Sequence, residues 1–145
     1  MVFRMKAIPV VDPKDCPKAL VPLFRDTVAA GFPSPAEDYI ERQLDFNELM
    51  ISNPAATFVL RAEGLSMIES GISDGSYLVV DRSHTAQHRN IVIAALDGEY
   101  VVKQLQTTPG FALKSMNGQY ADVIPTSEQE IEIFGVVTWV VRPMV

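Results

Sequence analysis

The chain turns at the stretch Glu-Gly-Leu-Ser-Met, residues 63–67, where an apolar, strand-like run ends. Gly64 allows a sharp bend and a close approach of the backbone to a substrate, so the hydroxyl of Ser66 is presented at a turn. Lys103 lies far downstream, inside the apolar run of residues 100–105. If Lys103 points inward, desolvation lowers its pKa, and a neutral lysine amine can accept the proton of a serine hydroxyl.

The sequence around this pair predicts a mainly β fold: a compact, barrel-like antiparallel domain with short helices and an extended N-terminal arm. No long helix separates the predicted strands, and glycine turns such as Asp97-Gly98 favour hairpins between them. Gly135 predicts a bulge or bend in the last strand. The predicted strands cover residues 57–62, 76–81, 91–96, 99–105, 111–116 and 131–141.

Two short helices are predicted before the strands. Ser34 is a suitable N-cap for the first, which would place Ile40 and Leu44 on one face. Asp45 is a suitable N-cap for the second, with Glu48 three residues further on.

Spacing alone leaves other interpretations of the serine and the lysine open. Most strand lysines face water, and most serine turns are only turns. A Ser-His-Asp triad is possible on residue types, but Asp74 and Asp81 are more simply turn residues. His84 and His88 lie in a polar loop without an apparent third ligand, so we expect neither a metal site nor a cofactor.

Three motifs follow one another along the chain. Ala-Ala-Gly-Phe-Pro-Ser-Pro occupies residues 29–35, Gly-Leu-Ser-Met occupies 64–67, and Val-Val-Lys occupies 101–103 after the turn Leu-Asp-Gly-Glu. Ser66 lies 35 residues after Gly31 and 37 residues before Lys103. In sequence and separation these motifs resemble the self-cleaving LexA/UmuD family, and the first resembles the cleavage segment of its UmuD branch.

The resemblance implies a Ser-Lys dyad on a LexA/signal-peptidase-like fold. Ser66 would be the nucleophile and Lys103 its general base. The backbone N–H groups of Leu65 and Ser66 would hold the oxyanion.

The resemblance also implies that the scissile bond joins Ala30 to Gly31, whose minimal side chains suit a narrow cleft. Residues 1–30 would be an arm removed by self-cleavage, and residues 31–145 the peptidase-like β domain. On the residues alone, the glycine could instead cap a short helical turn over residues 24–29.

Prolines throughout the arm leave no room for the helix-turn-helix domain that LexA-type repressors carry, which favours the UmuD branch. Its apolar segment, formed by Val21, Pro22, Leu23 and Phe24, would pack on the body of the protein or on a second copy of it. Alternatively it is a linear motif, because the similar stretch of UmuD is implicated in contact with the sliding clamp.

The resemblance implies a homodimer that cleaves itself when stimulated by a RecA filament on single-stranded DNA. The shortened form would be the accessory subunit of an error-prone, UmuC-like translesion polymerase in SOS mutagenesis. The alternatives are a Ser-Lys peptidase that acts on other proteins and a non-cleaving interaction module of the same fold.

Composition limits the remaining function classes. A net charge of −6 without basic clusters argues against direct binding of nucleic acid. The single cysteine, Cys16, excludes an internal disulfide and fits a reducing cytoplasm. No apolar run approaches the roughly 20 residues that span a bilayer, so we expect a cytoplasmic protein without a membrane segment.

Overall fold

The computed structural model describes residues 15, 17–25, 27–31, 39–126 and 130–145. These fall into two compact units that divide between Pro54 and Ala55. The predicted helix start at Ser34 and the single cysteine, Cys16, lie outside the described residues.

The N-terminal unit contains a two-stranded antiparallel sheet, β1 (Leu20–Phe24) and β2 (Ile40–Asp45), followed by the short helix α1 (Phe46–Met50). The predicted cap is confirmed, because the Asp45 carboxylate accepts a hydrogen bond from Asn47 N at 3.0 Å. An exposed ion pair of 2.9 Å joins Lys18 to Glu48 in the same unit.

The predicted helix through Ile40 and Leu44 is wrong, because both residues belong to β2. Leu44 pairs with Val21 of β1, so the backbone hydrogen bonds of this segment are made across the sheet. Cross-strand pairing therefore overrides a local pattern that also suits a helix. The alternative helical turn before Gly31 is not formed either, since β1 ends at Phe24 and residues 27–29 have no regular structure.

The C-terminal unit is built on a six-stranded, wholly antiparallel sheet with the order β3-β4-β8-β5-β6-β7. Short 3₁₀ turns at Pro54–Ala56 and Ile68–Ser70 flank its first strand. The strands are β3 (Thr57–Arg61), β4 (Tyr77–Asp81), β5 (Ile91–Leu96), β6 (Glu99–Gln106), β7 (Ala112–Lys114) and β8 (Ile131–Val141).

The mainly β, antiparallel prediction is confirmed. Within the described residues, β3 and β7 each pair with one neighbouring strand and not with each other, so the sheet does not close into a barrel. The hairpin between β5 and β6 turns at Asp97-Gly98 as predicted, and both residues adopt the positive φ that such a two-residue turn requires.

The sheet carries apolar side chains on both faces, because buried residues continue through successive positions of its strands. One cluster includes Met67, Leu78 and Ile93, and the other includes Val92 and Leu113. The two clusters make the sheet the rigid support of the C-terminal unit.

Gly135 marks the predicted bulge in β8. The pairing with β5 shifts register there, since Ile93 faces Gly135 whereas Ala94 faces Ile133. A Cβ at Gly135 would lie 2.7 Å from Val80 Cγ1 of β4, so glycine at this position lets β8 and β4 approach each other this closely.

Candidate active site

Ser66 lies in the turn between β3 and the 3₁₀ turn at Ile68–Ser70. The turn begins at Gly64, whose φ of +88° is readily available to glycine. The Gly64 N–H donates to Asp74 Oδ1 at 2.8 Å, which ties the turn to the loop before β4. Met67 is 2% exposed and anchors the turn in the core.

The carbonyl groups of the turn are held from the other side by the segment after β7. Met116 N donates to Ser66 O at 2.8 Å, and Asn117 Nδ2 donates to Leu65 O at 2.9 Å. Among the described residues, the backbone N–H groups of Leu65 and Ser66 have no hydrogen-bond acceptor. Two donors of the turn are therefore available to a substrate.

Lys103 lies in β6, on the same face of the strand as Val101 and Leu105 and opposite Val92 of β5. Its ammonium group donates a hydrogen bond of 2.8 Å to Ser115 Oγ. The Lys103 side chain is half-buried, so it is partly removed from bulk water.

Ser115 was not among the site residues predicted from the sequence. In the β6–β7 hairpin Gln104 pairs with Lys114, so continuing the register by one residue places Lys103 opposite Ser115. The residues Pro109-Gly110 were the available signal in the sequence, since a hairpin centred there pairs these two positions.

Burial lowers the pKa of Lys103, and the negative charge of Asp122 counteracts this shift. The predicted lowering of the lysine pKa by desolvation is thereby confirmed. Asp122 is fixed beside it, because Oδ1 accepts the Ser115 N–H at 3.0 Å and Oδ2 lies 3.6 Å from Lys114 Nζ.

Ser66 and Lys103 line a single pocket of about 370 Å³. No hydrogen bond joins the Ser66 hydroxyl to the Lys103 amine among the side chains that the structure describes. Catalytic hydrogen bonds often tighten only when substrate is bound, so this resting geometry is compatible with a dyad. The other lining residues are Leu60, Arg61, Ala62, Glu63, Leu78, Ile93, Tyr100, Val101 and Val102.

The histidines do not line this pocket. His84 Nε2 lies 3.6 Å from Asp81 Oδ2, and His88 Nδ1 accepts a hydrogen bond from a backbone N–H. Ser83 Oγ donates to the Asp81 carboxylate rather than to a histidine, so these residues do not form a Ser-His-Asp triad. Asp74 lies in a turn, as predicted, whereas Asp81 is the last residue of β4 and accepts the Ser83 N–H of the turn that follows.

Ala30 and Gly31 are exposed and lie in a bend of the N-terminal unit. In the part of the chain that the structure describes, no helix is long and apolar enough to cross a membrane. The same residues contain no cluster of three histidine, cysteine or acidic side chains placed to hold a metal ion.

The chain is similar to known proteins of one family. The chain matches the Peptidase S24-like family over residues 22–138. It is 48% identical over 133 residues to Protein ImpA of Salmonella typhimurium, with 90% of each chain covered. It is 41% identical over 119 residues to Protein MucA of Escherichia coli, covering 81% of this chain and 82% of that one. Its identity to the LexA repressor of Azoarcus sp. (strain BH72) is 33% over 117 residues, covering 79% of this chain and 57% of the repressor.

The family match includes the turn with Ser66, the strand with Lys103 and the segment with Ala30 and Gly31. The chain therefore belongs to the Peptidase S24-like family, as a UmuD-like, self-cleaving serine peptidase of SOS mutagenesis.

Proposed function

We propose that the chain cleaves itself once, between Ala30 and Gly31, with Ser66 as the nucleophile and Lys103 as the general base. One observation carries the proposal. Ser66 and Lys103 line the same pocket, and burial there lowers the pKa of the lysine. A serine and a partly desolvated lysine that line one pocket are the two groups that Ser-Lys peptidases use.

In the proposed reaction, neutral Lys103 accepts the proton of the Ser66 hydroxyl as Ser66 Oγ attacks the carbonyl carbon of Ala30. The free N–H groups of Leu65 and Ser66 stabilise the oxyanion of the tetrahedral intermediate. The Lys103 ammonium then returns the proton to the leaving amine of Gly31. Water hydrolyses the ester between Ser66 and Ala30, with Lys103 again acting as the base.

The state of the cleavage segment supports this reaction. Ala30 and Gly31 are exposed, and residues 27–29 have no regular structure, so the bond can enter a cleft without unfolding a strand. Cleavage would release residues 1–30, including β1, from residues 31–145. β2 would then lose its antiparallel partner, so cleavage changes which backbone edge the N-terminal unit presents.

The proposed partners follow from the family. The protein acts as a homodimer in the cytoplasm, is stimulated by a RecA filament on single-stranded DNA, and then serves an error-prone, UmuC-like polymerase. A clamp contact through Val21, Pro22, Leu23 and Phe24 would use a segment that forms most of β1. Val21 and Phe24 are 41% and 50% exposed, so their side chains are available to a partner even while β1 is paired.

The test is to incubate the purified chain with RecA, ATP and single-stranded DNA and to measure its mass. We expect two fragments, with the larger one beginning at Gly31, and no cleavage when ATP or DNA is omitted. An intact chain in a reaction where the same RecA filament cleaves a known substrate would contradict the proposal.

Replacing Gly31 with a bulky residue such as valine is expected to block cleavage, because the branched side chain would clash in a cleft shaped for a minimal one. The substitution should not disturb the resting fold, since a Cβ at Gly31 meets no atom of the described residues within 4 Å and its φ is not in the left-handed region. Val28→Ala, at a nearby side chain that is 96% exposed, is the control and should still be cleaved.

N-terminal sequencing of the large fragment locates the bond, and the expected start is Gly-Phe-Pro-Ser. If the Gly31→Val chain is cleaved at the wild-type rate, or if the fragment begins at another residue, the scissile bond is not the one between Ala30 and Gly31.

A further inference from the structure

Ser115 is the one side chain that the Lys103 amine contacts by a hydrogen bond among the described residues. Three interactions fix it in place. Its N–H donates to Asp122 Oδ1 at 3.0 Å, its hydroxyl donates to Ala121 O at 3.1 Å, and Oγ accepts from Lys103 Nζ at 2.8 Å. The hydroxyl proton is committed to the Ala121 carbonyl, so only oxygen lone pairs face the lysine.

We propose that Ser115 is a positioning residue for self-cleavage, an inference that rests on the proposed function: its hydroxyl oxygen accepts one N–H of Lys103 and so directs the amine lone pair into the pocket lined by Ser66. Ser115 neither donates nor receives a proton in the reaction. Its hydrogen bond persists when Lys103 becomes an ammonium, because both forms of the side chain have an N–H to donate.

The need for such a residue follows from the length of the lysine side chain. Four methylene groups give the amine several rotamers, and a general base works only within hydrogen-bond reach of the proton that it accepts. The β6–β7 pairing fixes the backbone, but the amine itself needs a partner that leaves its lone pair free. A carboxylate would also hold the amine, but its charge would favour the ammonium form, in which no lone pair is available.

Other charged groups surround the lysine. Asp122 and Lys114 flank Ser115 on the β7 side, and their side chains lie 3.6 Å apart. Across the pocket, Arg61 donates to the hydroxyl of Tyr77 at 3.1 Å, so its guanidinium is already engaged. The remaining titratable groups that line the pocket are Glu63 and Tyr100.

The kinetic test compares the pH profiles of spontaneous cleavage for wild type, Ser115→Ala and Ser115→Thr. We expect Ser115→Ala to reduce the limiting rate at high pH by roughly tenfold, because an unheld amine reaches the serine less often. The apparent pKa of Lys103 in Ser115→Ala should not rise, because the Ser115 hydroxyl oxygen that is lost favoured the ammonium form of the lysine. Ser115→Thr keeps the hydroxyl and should restore the rate. Ser83→Ala, which removes a serine hydrogen bond outside the pocket, should match wild type.

A second measurement does not depend on cleavage. In a Ser66→Ala background, ¹⁵N relaxation reports the mobility of the Lys103 ammonium at a pH where it is charged. We expect a restricted group, greater mobility after adding Ser115→Ala, and restored restriction with Ser115→Thr. A mobile ammonium that does not respond to Ser115→Ala would overturn the inference, even if Ser115→Ala slows cleavage by changing the fold.

The two proposals fail in different ways. If wild type is cleaved but Ser115→Ala has the same limiting rate, Ser115 has no positioning role and the dyad stands. If wild type stays intact under every condition, the proposed function fails and the positioning role fails with it, whatever the mobility of Lys103.

Discussion

Replacing Ser66 with alanine is expected to stop self-cleavage, by roughly a thousandfold or more, because the change removes the nucleophile. The fold should tolerate it, since the Ser66 hydroxyl makes no hydrogen bond to any residue that the structure describes. The turn is instead held by the hydrogen bond from Gly64 N to Asp74 and by buried Met67. The measurement is the fraction of intact chain over time, with folding checked by circular dichroism.

The lysine should be equally necessary. Lys103→Met keeps the apolar stem but removes the base, and the double variant with Ser66→Ala should be no worse than either single variant, because the two groups act as a unit. Lys114→Met is the matched control. Lys114 is the last residue of β7 and lies 3.6 Å from Asp122, but it does not line the pocket, so cleavage should continue. If the Ser66→Ala chain still yields a fragment beginning at Gly31, the assignment of Ser66 as the nucleophile is wrong.

Local signals in the sequence predicted the parts of the structure that depend on neighbouring residues. Asp97-Gly98 predicted a hairpin because few residue pairs adopt two consecutive positive φ values, and Asp45 predicted a helix start because its carboxylate can accept an N–H of the first turn. Gly135 predicted a bulge for a steric reason that the close approach of Val80 makes explicit.

Features that depend on register or on distant partners were missed. The segment with Ile40 and Leu44 suits a helix by spacing, and only its pairing with β1 makes it a strand. Ser115 gains its contact with Lys103 through the β6–β7 register, which the turn residues Pro109-Gly110 indicate only once the two flanking strands are known to pair with each other. The predicted barrel-like closure also depends on distant partners, because a sheet closes only if its edge strands, here β3 and β7, pair with each other.

The rate of spontaneous cleavage is expected to rise with pH, in the absence of any partner, because only the neutral form of Lys103 can act as a base. A free lysine titrates at about 10.4, and burial lowers the pKa of Lys103 from the ordinary lysine value. Below that pKa the neutral fraction, and therefore the rate, should grow about tenfold for each pH unit. Docking of the cleavage segment would exclude more water, which would lower the pKa further and permit cleavage at neutral pH.

Asp122 provides the sharpest form of this test, because its charge raises the pKa of Lys103 against the effect of burial. Asp122→Asn removes the charge, while the amide oxygen can still accept the Ser115 N–H. The rate profile should therefore shift to lower pH, with faster cleavage near neutrality and an unchanged limiting rate. Asp97→Asn, which removes a carboxylate at the β5–β6 turn, outside the pocket, should leave the profile in place. The measurement is the first-order rate from about pH 7 to 10.5, with circular dichroism at each point. A flat profile in a folded protein, or a shift of the Asp122→Asn profile to higher pH, would exclude Lys103 as the general base.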